Sequence, residues 1–483
     1  MLCRQRTLGL LAVVLVLGPS LLGGVPGAAL AQAGARALNA RADRGKGSAR
    51  ATHPEANAPA QVTLTQGAGT PGVQITMPPV GLSIEYPVMA LDLGAGACPP
   101  PALIAALQQL GSPPLSLAGD SQDMTVPSDA LSGAASSWET ATLFPLPTSF
   151  WAQLHCLLSA AHDPLTVGLN LKTGQPSWAQ QMVAGAQSAA TDGLDFSLGN
   201  EPDLYPLPNY ASLGKPQPNE QATQVALYVQ LASALQQTLA GAPTIGPELA
   251  GAEHWQRELP HVIAQLHLAT VGVHAYPLTA CVTPKAVTVG GLLTAYAADE
   301  PRKFAWVVAD AQAAGVPAII SEANSASCGG VEGVSDSPAS AVWAVRFVLS
   351  ALKTGFHEVR FHFSGDPYDP FVVRGEEVIR RPLDSALVAL NQWLPVGSSL
   401  RTVAGVRGLL ASNVTSATGA SLLILENERA HAQKLVLRGA QSVNMESLSA
   451  ARGGVVKTQL SAVRGRIKLL VAGNSVVALS AAG

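Results

Sequence analysis

The sequence of 483 residues carries little charge and no large excess of either sign. Charged residues make up only 13% of it, and the formal net charge at pH 7 is −3. Binding to nucleic acid through its phosphates requires clustered lysine and arginine, so this composition predicts no nucleic-acid partner. The hydrophobic content of 48% supports a sizeable core, which argues against a disordered chain or a coiled coil.

Long apolar runs are also scarce, and the one that stands out lies at the N-terminus. Two arginines precede the apolar stretch 8–22, and small residues over 29–33 fit the rule for signal-peptide cleavage. We therefore predict a signal peptide over 1–33, a secreted or periplasmic protein, and no stable membrane insertion after cleavage. An uncleaved membrane anchor is the alternative, which Pro19 disfavours because it interrupts the apolar run.

Cysteines are few. Cys3 lies in the predicted signal peptide, which leaves four: Cys98, Cys156, Cys281 and Cys328. In an oxidising compartment an even number permits two disulfides, with three possible connectivities. The spacings match no zinc pattern and the ten histidines are scattered, so the sequence predicts no metal and no cofactor.

Eight apolar stretches alternate with helical patterns between residues 80 and 395. The predicted strands are 80–86, 115–120, 165–171, 194–201, 244–249, 270–276, 316–322 and 358–363. This alternation predicts an α/β fold, a (β/α)₈ TIM barrel over 80–395. A doubly wound open sheet is the rival, but no Gly-x-Gly-x-x-Gly turn follows the first strand.

The segments that flank the barrel have different patterns. Residues 34–58 are rich in Ala, Gly, Arg and Pro without apolar periodicity, and they predict a disordered leader. Short alternating stretches within 59–79 predict N-terminal strands that join the C-terminal domain. Short strands separated by turns over 396–483 predict an appended β-sandwich. We expect the sandwich to pack against the barrel, with carbohydrate binding as the alternative.

Two glutamates follow the predicted strands four and seven. Glu201 lies in a Gly-Asn-Glu-Pro turn, and Glu322 ends a buried apolar run. The carboxyl ends of barrel strands converge at one mouth, so both side chains are expected there. Two facing carboxylates are the chemistry of glycoside hydrolysis, in which one protonates the leaving oxygen and the other attacks the anomeric carbon or activates water. Each glutamate alone has a structural explanation, a turn or an ion pair, whereas the pair predicts a glycosidase.

Several motifs resemble glycoside hydrolase family 79, which contains heparanases and exo-acting β-glucuronidases. The motifs are Gly168-Leu-Asn-Leu171, Leu198-Gly-Asn-Glu-Pro-Asp203, His274-Ala-Tyr276, Ser321-Glu-Ala-Asn-Ser-Ala-Ser-Cys-Gly-Gly330 and Gly333-Val-Ser-Asp336. The resemblance covers about residues 80 to 395 and implies a retaining mechanism, with Glu201 as general acid/base and Glu322 as nucleophile. It implies that Glu201 is protonated in the resting enzyme, because burial and the charge of Glu322 raise its pKa.

The resemblance also implies substrate contacts. Asn200 is expected to bind the sugar 2-hydroxyl, and Tyr276 to donate a hydrogen bond to Glu322. The residues expected to bind a glucuronate carboxylate are the backbone amides of Gly329, Gly330 and Gly365 and the hydroxyl of Tyr368.

Three further side chains have open assignments. Glu85 and Asp120, at the ends of strands one and two, are candidates to bind sugar hydroxyls, with structural hydrogen bonding as an equal alternative. His274 orients Tyr276, lines the pocket, or is a satisfied buried histidine.

One position departs from the family. Cys328 stands where the heparanase-like pattern has a tyrosine, which weakens the expected carboxylate pocket or shifts its task to Tyr368. Cys281 lies just past strand six, next to strand seven, so a Cys281–Cys328 disulfide is expected to brace the rim. Cys98 and Cys156 are then left as the second pair.

Together these observations predict an exported, retaining, exo-acting β-glucuronidase with a carbohydrate substrate. Exo action is favoured because nothing basic suggests a groove for sulfated polymers. A β-glycosidase for a neutral sugar is the first alternative. A carbohydrate-binding relative without activity is the second, which the presence of both Glu201 and Glu322 disfavours.

Overall fold

The computed structural model describes residues 60–63, 72–130, 143–205, 221–251, 255–281, 283–404, 406 and 408–482. The predicted signal peptide and leader lie outside these residues. Within the described ranges, no helix combines the length and apolarity needed to cross a membrane.

The first fourteen strands include the predicted barrel. They are β1 (Ala60–Thr63), β2 (Val73–Gln74), β3 (Val80–Glu85), β4 (Leu115–Ala118), β5 (Thr125–Val126), β6 (Phe144–Pro145), β7 (Leu165–Leu169), β8 (Leu194–Leu198), β9 (Thr244–Leu249), β10 (Thr270–Ala275), β11 (Ala318–Ala323), β12 (Val359–Phe363), β13 (Phe371–Arg374) and β14 (Glu377–Arg380). Eight of these, β3, β4 and β7 to β12, pair in parallel to form a closed barrel. The barrel closes where Val359 of β12 lies opposite Val80 of β3. The predicted (β/α)₈ fold is therefore confirmed.

The barrel strands are buried on both faces, because side chains fill the interior and helices cover the exterior. Every residue of β4, β7, β9, β11 and β12 is buried. This explains why β7 and β11 are recognisable in the sequence as short, largely apolar runs, whereas in β12 the polar Arg360 and His362 alternate with apolar residues.

Helices connect the strands. They are α1 (Tyr86–Asp92), α2 (Pro101–Leu110), α3 (Phe150–Ala161), α4 (Pro176–Ala189), α5 (Gln221–Gln236), α6 (Leu259–Leu266), α7 (Val289–Leu292), α8 (Ala295–Ala298), α9 (Ala305–Ala314), α10 (Pro338–Thr354) and α11 (Pro382–Trp393). Local signals explain several boundaries. Proline occupies the first turn of α2, α4, α10 and α11, where its missing N–H costs no helical hydrogen bond. Helix α2 ends at Leu110, and the next residue, Gly111, has a φ of 88° that suits glycine.

The C-terminal strands form two further sheets. They are β15 (Ser399–Thr402), β16 (Leu410–Thr415), β17 (Ser421–Asn427), β18 (Gln433–Arg438), β19 (Ser442–Ser449), β20 (Arg452–Ser461), β21 (Arg466–Val471) and β22 (Ser475–Ala481). A seven-stranded sheet has the order β2-β15-β16-β17-β22-β19-β20, and a three-stranded sheet has the order β1-β18-β21. The early strands β1 and β2 therefore pair with β18 and β15.

The seven-stranded sheet has two apolar faces. Leu423 and Leu425 of β17 pack with residues of the three-stranded sheet, whereas Ile424 between them belongs to the cluster that includes the barrel. Polar contacts add to this attachment. The buried guanidinium of Arg346 in α10 pairs with Glu428, and Trp393 donates from Nε1 to Glu446 at 2.8 Å. The sheet is thereby fixed to the flank of the barrel.

Candidate active site

The two glutamates reach the mouth of the barrel in different ways. Glu322 lies in β11 itself, in register with His274 of β10. Glu201 follows the end of β8 by three residues, because β8 ends at Leu198. Its φ of 48° turns the chain sharply, and its N–H donates to the carbonyl of Glu248 in β9 at 3.1 Å. This turn directs Glu201 toward the residues of β10 and β11.

The two carboxylates come close together around one histidine. One oxygen of Glu201, one oxygen of Glu322 and a ring nitrogen of His274 lie within 4.8 Å of one another. His274 Nδ1 is 2.9 Å from Glu201 Oε1 and 3.7 Å from Glu322 Oε1. The imidazole is therefore shared between the two acids.

The charges of these groups correct one expectation. Burial lowers the pKa of His274, but the carboxylates of Glu322, Glu201 and Glu248 outweigh burial and raise it to about 10. In turn, burial raises the pKa of Glu201, but the hydrogen bond and charge of His274 bring it below its ordinary value. The prediction that Glu201 is protonated in the resting protein is wrong, because it considered the charge of Glu322 and not that of His274.

Tyr276 and His362 approach the carboxylate of Glu322 from two sides. Tyr276, the first residue after β10, donates from its hydroxyl to Glu322 Oε1 at 2.7 Å, the contact that the resemblance implied. His362 Nδ1 lies 3.3 Å from Glu322 Oε2, and its Nε2 lies 3.3 Å from Glu85 Oε1. Burial lowers the pKa of His362, but the charges of Glu322 and Glu85 raise it to about 9. His362 was not among the predicted site residues. The alternation of side chains along β12 could have indicated it, because His362 lies on the same face of the strand as the polar Arg360.

The ends of the first two barrel strands are tied to each other. Glu85 accepts hydrogen bonds from the backbone N–H groups of Asp120 at 3.0 Å and Ser121 at 2.8 Å. Asp120 Oδ1 accepts from the side-chain amide of Asn200 at 3.3 Å. Burial and the charges of Glu322, Glu85 and Glu201 raise the pKa of Asp120. Glu85 and Asp120 thus make structural hydrogen bonds, and both also line the cavity at the mouth of the barrel that is described below. Their binding of sugar hydroxyls stays a prediction.

The predicted carboxylate-binding glycines are partly engaged with the protein itself. Gly365 donates its N–H to Asp369 Oδ2 at 3.0 Å. Gly330 is packed closely, since a Cβ at this position would lie 2.5 Å from Ser335 Oγ. The Gly365 amide is thus already bonded to a buried acid.

Gly329 and Tyr368 do line the cavity, together with an acid that the sequence analysis missed. Asp366 Oδ2 accepts from Ser364 Oγ at 2.7 Å, and Ser364 Oγ also lies 2.9 Å from the hydroxyl of Tyr368. A Cβ on Gly329 would lie 2.7 Å from Asp366 Oδ2, so the carboxylate packs directly against that glycine.

The site opens into a cavity of about 550 Å³, within the range of small-molecule sites. The charged side chains among its described lining residues are six carboxylates and two imidazoles: Glu85, Asp120, Glu201, Glu300, Glu322, Asp366, His274 and His362. No lysine or arginine of the described chain lines it. A larger cleft of about 660 Å³ lies between α11 and the seven-stranded sheet, but the only carboxylate among its described lining residues, that of Glu446, is paired with Lys457. The acid pair therefore singles out the smaller cavity.

Both disulfides have the expected partners: Cys98 with Cys156 and Cys281 with Cys328. The second pair lines the cavity and joins the loops that follow β10 and β11. The same two loops are held by a backbone hydrogen bond from Ser327 to the carbonyl of Leu278 at 3.0 Å. The disulfide thus braces the rim between the loops that follow Tyr276 and Glu322.

A buried carboxylate behind the site supports the Glu201 turn. Asp123 Oδ1 accepts from the N–H of Leu171 at 3.0 Å, and Oδ2 accepts from the N–H of Asn200 at 3.4 Å and from the hydroxyl of Tyr205. Lys172 Nζ lies 3.9 Å from the same carboxylate. Asp123 therefore joins the loops after the second, third and fourth barrel strands. Sequence patterns do not reveal it, because its partners are far apart in the chain.

Two carboxylates and an imidazole are also ligand types for a divalent cation. In this structure His274 Nδ1 faces Glu201 Oε1 at hydrogen-bonding distance, so the ion pair and a metal would compete for the same atoms. The ion pair accounts for the geometry without a metal.

No protein-family model matches the sequence, and no curated protein matches it. Solved structures do match the fold. A 4-O-α-L-rhamnosyl-β-D-glucuronidase from Fusarium oxysporum 12S, in complex with Rha-GlcA, has 17% sequence identity and a TM-score of 0.68, covering 87% of this chain and 100% of that chain. A family 51 arabinofuranosidase from Xanthomonas axonopodis pv. citri has 12% identity and a TM-score of 0.61, covering 85% and 97%.

A family 30 endoxylanase from Clostridium papyrosolvens C71 has 10% identity and a TM-score of 0.55, covering 88% of this chain and 100% of that chain. All three names describe enzymes that act on glycosides. At these identities the similarity shows a shared fold, and the family of this chain stays a prediction.

Proposed function

We propose that the protein is a retaining β-glycosidase, with Glu322 as nucleophile and Glu201 as general acid/base. The observation that carries this proposal is that the two carboxylates approach within 4.8 Å at the mouth of the barrel. Retaining enzymes hold the two carboxyl groups about 5–5.5 Å apart, whereas inverting enzymes need about 6.5–9.5 Å to admit a water. The shared fold with structures of named glycosidases supports the same proposal.

The reaction proceeds in two displacements. Glu322 attacks the anomeric carbon while the glycosidic bond breaks, and Glu201 gives a proton to the departing oxygen. Glu201, now a carboxylate, takes a proton from water, and that water attacks the same carbon and releases Glu322. Two inversions give the β-anomer of the product. Tyr276 donates to the carboxylate of Glu322, which stabilises the negative charge that returns when the covalent bond breaks.

His274 is placed to supply the proton that Glu201 delivers. In the free protein His274 carries the proton of the pair, because the pKa of His274 is raised and that of Glu201 is lowered. Its Nδ1 lies 2.9 Å from Glu201 Oε1. Transfer across this hydrogen bond, when substrate displaces water from the cavity, leaves a neutral imidazole and a protonated Glu201. Glu201 can therefore act as an acid in the substrate complex, although it is ionised in the free protein.

Two sugars are candidates for the substrate. A terminal β-glucuronic acid is implied by the family 79 resemblance, and the shared fold with a rhamnosyl-glucuronidase supports it. An uncharged β-pyranoside is favoured by the Gly365 N–H, which is bonded to Asp369 and so is not free for a carboxylate. Removal of one terminal sugar at a time is proposed for either, because the cavity is compact.

The test is hydrolysis of p-nitrophenyl β-glucuronide, β-glucoside, β-galactoside and β-xyloside, with Glu322→Ala as control. We expect turnover of at least one glycoside by the wild type and none by the variant. NMR of the first product formed should give the β-anomer. Turnover by Glu322→Ala, or an α-anomer as first product, would contradict the assigned roles. Binding of sugars without any turnover would favour a carbohydrate-binding protein.

A further inference from the structure

We propose that Asp366 makes this cavity select an uncharged β-glycoside and reject a uronic acid. Because this inference rests on the proposed glycosidase function, it concerns only the charge of the sugar that the site accepts. It is carried by the position of Asp366, by the hydrogen bonds of its neighbours and by the charges of the cavity.

Asp366 lies on the cavity wall between two loops. It follows β12 by three residues, is half-buried, and packs against the backbone of Gly329 in the loop after β11. Ser364 donates its hydroxyl hydrogen to Asp366 Oδ2, which leaves the carboxylate able to accept further hydrogen bonds. A substrate group that reaches Gly329 therefore meets a carboxylate.

Two backbone donors at the start of this loop are already engaged with the protein. The N–H groups of Ser364 and Gly365 both donate to the buried carboxylate of Asp369, at 3.1 and 3.0 Å. Arg381 donates to the backbone carbonyls of Asp366 and Asp369, and its side chain is not part of the cavity lining. The wall thus presents an acceptor where an anionic sugar needs donors.

Among the described lining residues, no other charged side chain compensates. The two imidazoles that line it are already paired with carboxylates, His274 with Glu201 and His362 with Glu85. A uronate would bring one more negative charge beside Asp366, and like charges at close range disfavour each other. A hydroxyl would instead donate to Asp366 in a charge-assisted hydrogen bond. The chemistry of the wall therefore matches a sugar that carries hydroxyls and no carboxylate.

The experiment compares charge selectivity in the full-length protein. The quantity measured is the ratio of kcat/KM for p-nitrophenyl β-glucuronide to kcat/KM for the uncharged aryl β-glycoside that is hydrolysed fastest. The ratio is independent of the fraction of active protein. Asp366→Asn keeps the shape of the side chain and removes its charge, and Asp366→Ser provides a second variant should the first fold poorly. Glu332→Gln is the matched control, since Glu332 is an exposed acid of the neighbouring loop that does not line the cavity.

We expect a wild-type ratio below about 0.1, at least a tenfold higher ratio in Asp366→Asn, and a wild-type ratio in Glu332→Gln. A wild type that prefers the glucuronide, or a ratio that the loss of the Asp366 charge leaves unchanged, would overturn this inference and leave the glycosidase proposal intact. Absence of turnover with every glycoside would overturn the glycosidase proposal and this inference with it.

Discussion

The hydroxyl of Tyr276 should contribute directly to catalysis. It donates to Glu322 Oε1 at 2.7 Å, and Tyr276→Phe removes only that oxygen. Without the bond, the carboxylate is free to rotate toward His274, whose Nδ1 is 3.7 Å away. A hydrogen bond to a charged group contributes about 1.5–3 kcal/mol. Since each 1.36 kcal/mol corresponds to a factor of ten in rate, kcat/KM should fall roughly 10- to 150-fold.

The assay is steady-state hydrolysis of the aryl glycoside that the wild type cleaves fastest. Tyr296→Phe is a matched control, because Tyr296 is exposed, accepts a hydrogen bond from Lys303 and does not line the cavity. The control should keep the wild-type rate within about twofold. A Tyr276→Phe variant within threefold of the wild type would refute the reasoning that this bond orients and stabilises the nucleophile.

Three further predictions concern the acid, a histidine and the rim. Glu201→Ala should lower kcat about 10²- to 10⁴-fold, as loss of a general acid/base does, and added azide should restore turnover with a β-glycosyl azide as product; turnover without that product would contradict the role. The pKa of His362 is raised to about 9, so its stabilising contribution is complete below pH 6.5 and is lost as pH rises through 9. The wild-type melting temperature should therefore fall over that interval, and an equal fall in His362→Gln would argue against this cause. The disulfides join cysteines that are 58 and 47 positions apart, so removing either one should lower the free energy of unfolding by up to about 4 kcal/mol. Only removal of Cys281–Cys328, which borders the cavity, should also change KM; equal effects of the two bridges on KM would contradict this.

The barrel was predictable because its physical causes are local. Many strands that are buried on both faces appear in the sequence as short apolar runs. The fifth predicted barrel strand, 244–249, has the same limits as the observed strand β9. The limits of helix α2 likewise have local causes, since Pro101 begins it and Gly111 follows its last residue. Helix α1 was missed because it follows β3 directly, without an intervening turn residue. The hairpin of β13 and β14 was missed because both strands are short and half-exposed.

The site was predictable only where residues lie at strand ends. Glu201, Glu322 and Tyr276 follow from that placement and from the family motifs. The position of Asp366 does not, because the direction of a loop side chain depends on contacts with a distant loop, here at Gly329. The prediction of the protonation state of Glu201 was wrong for a related reason. That state depends on the distance to His274, which is 73 positions away in the chain.

The most direct test of the proposed mechanism is to trap the covalent intermediate. The protein would be incubated with the 2-deoxy-2-fluoro-β-glycosyl fluoride of its fastest sugar, then digested and analysed by mass spectrometry. A retaining mechanism predicts one fluoroglycosyl group, attached to the peptide that contains Glu322 and absent from Glu322→Ala. A label on another residue, or an active enzyme that forms no adduct and releases the α-anomer, would contradict Glu322 as the nucleophile.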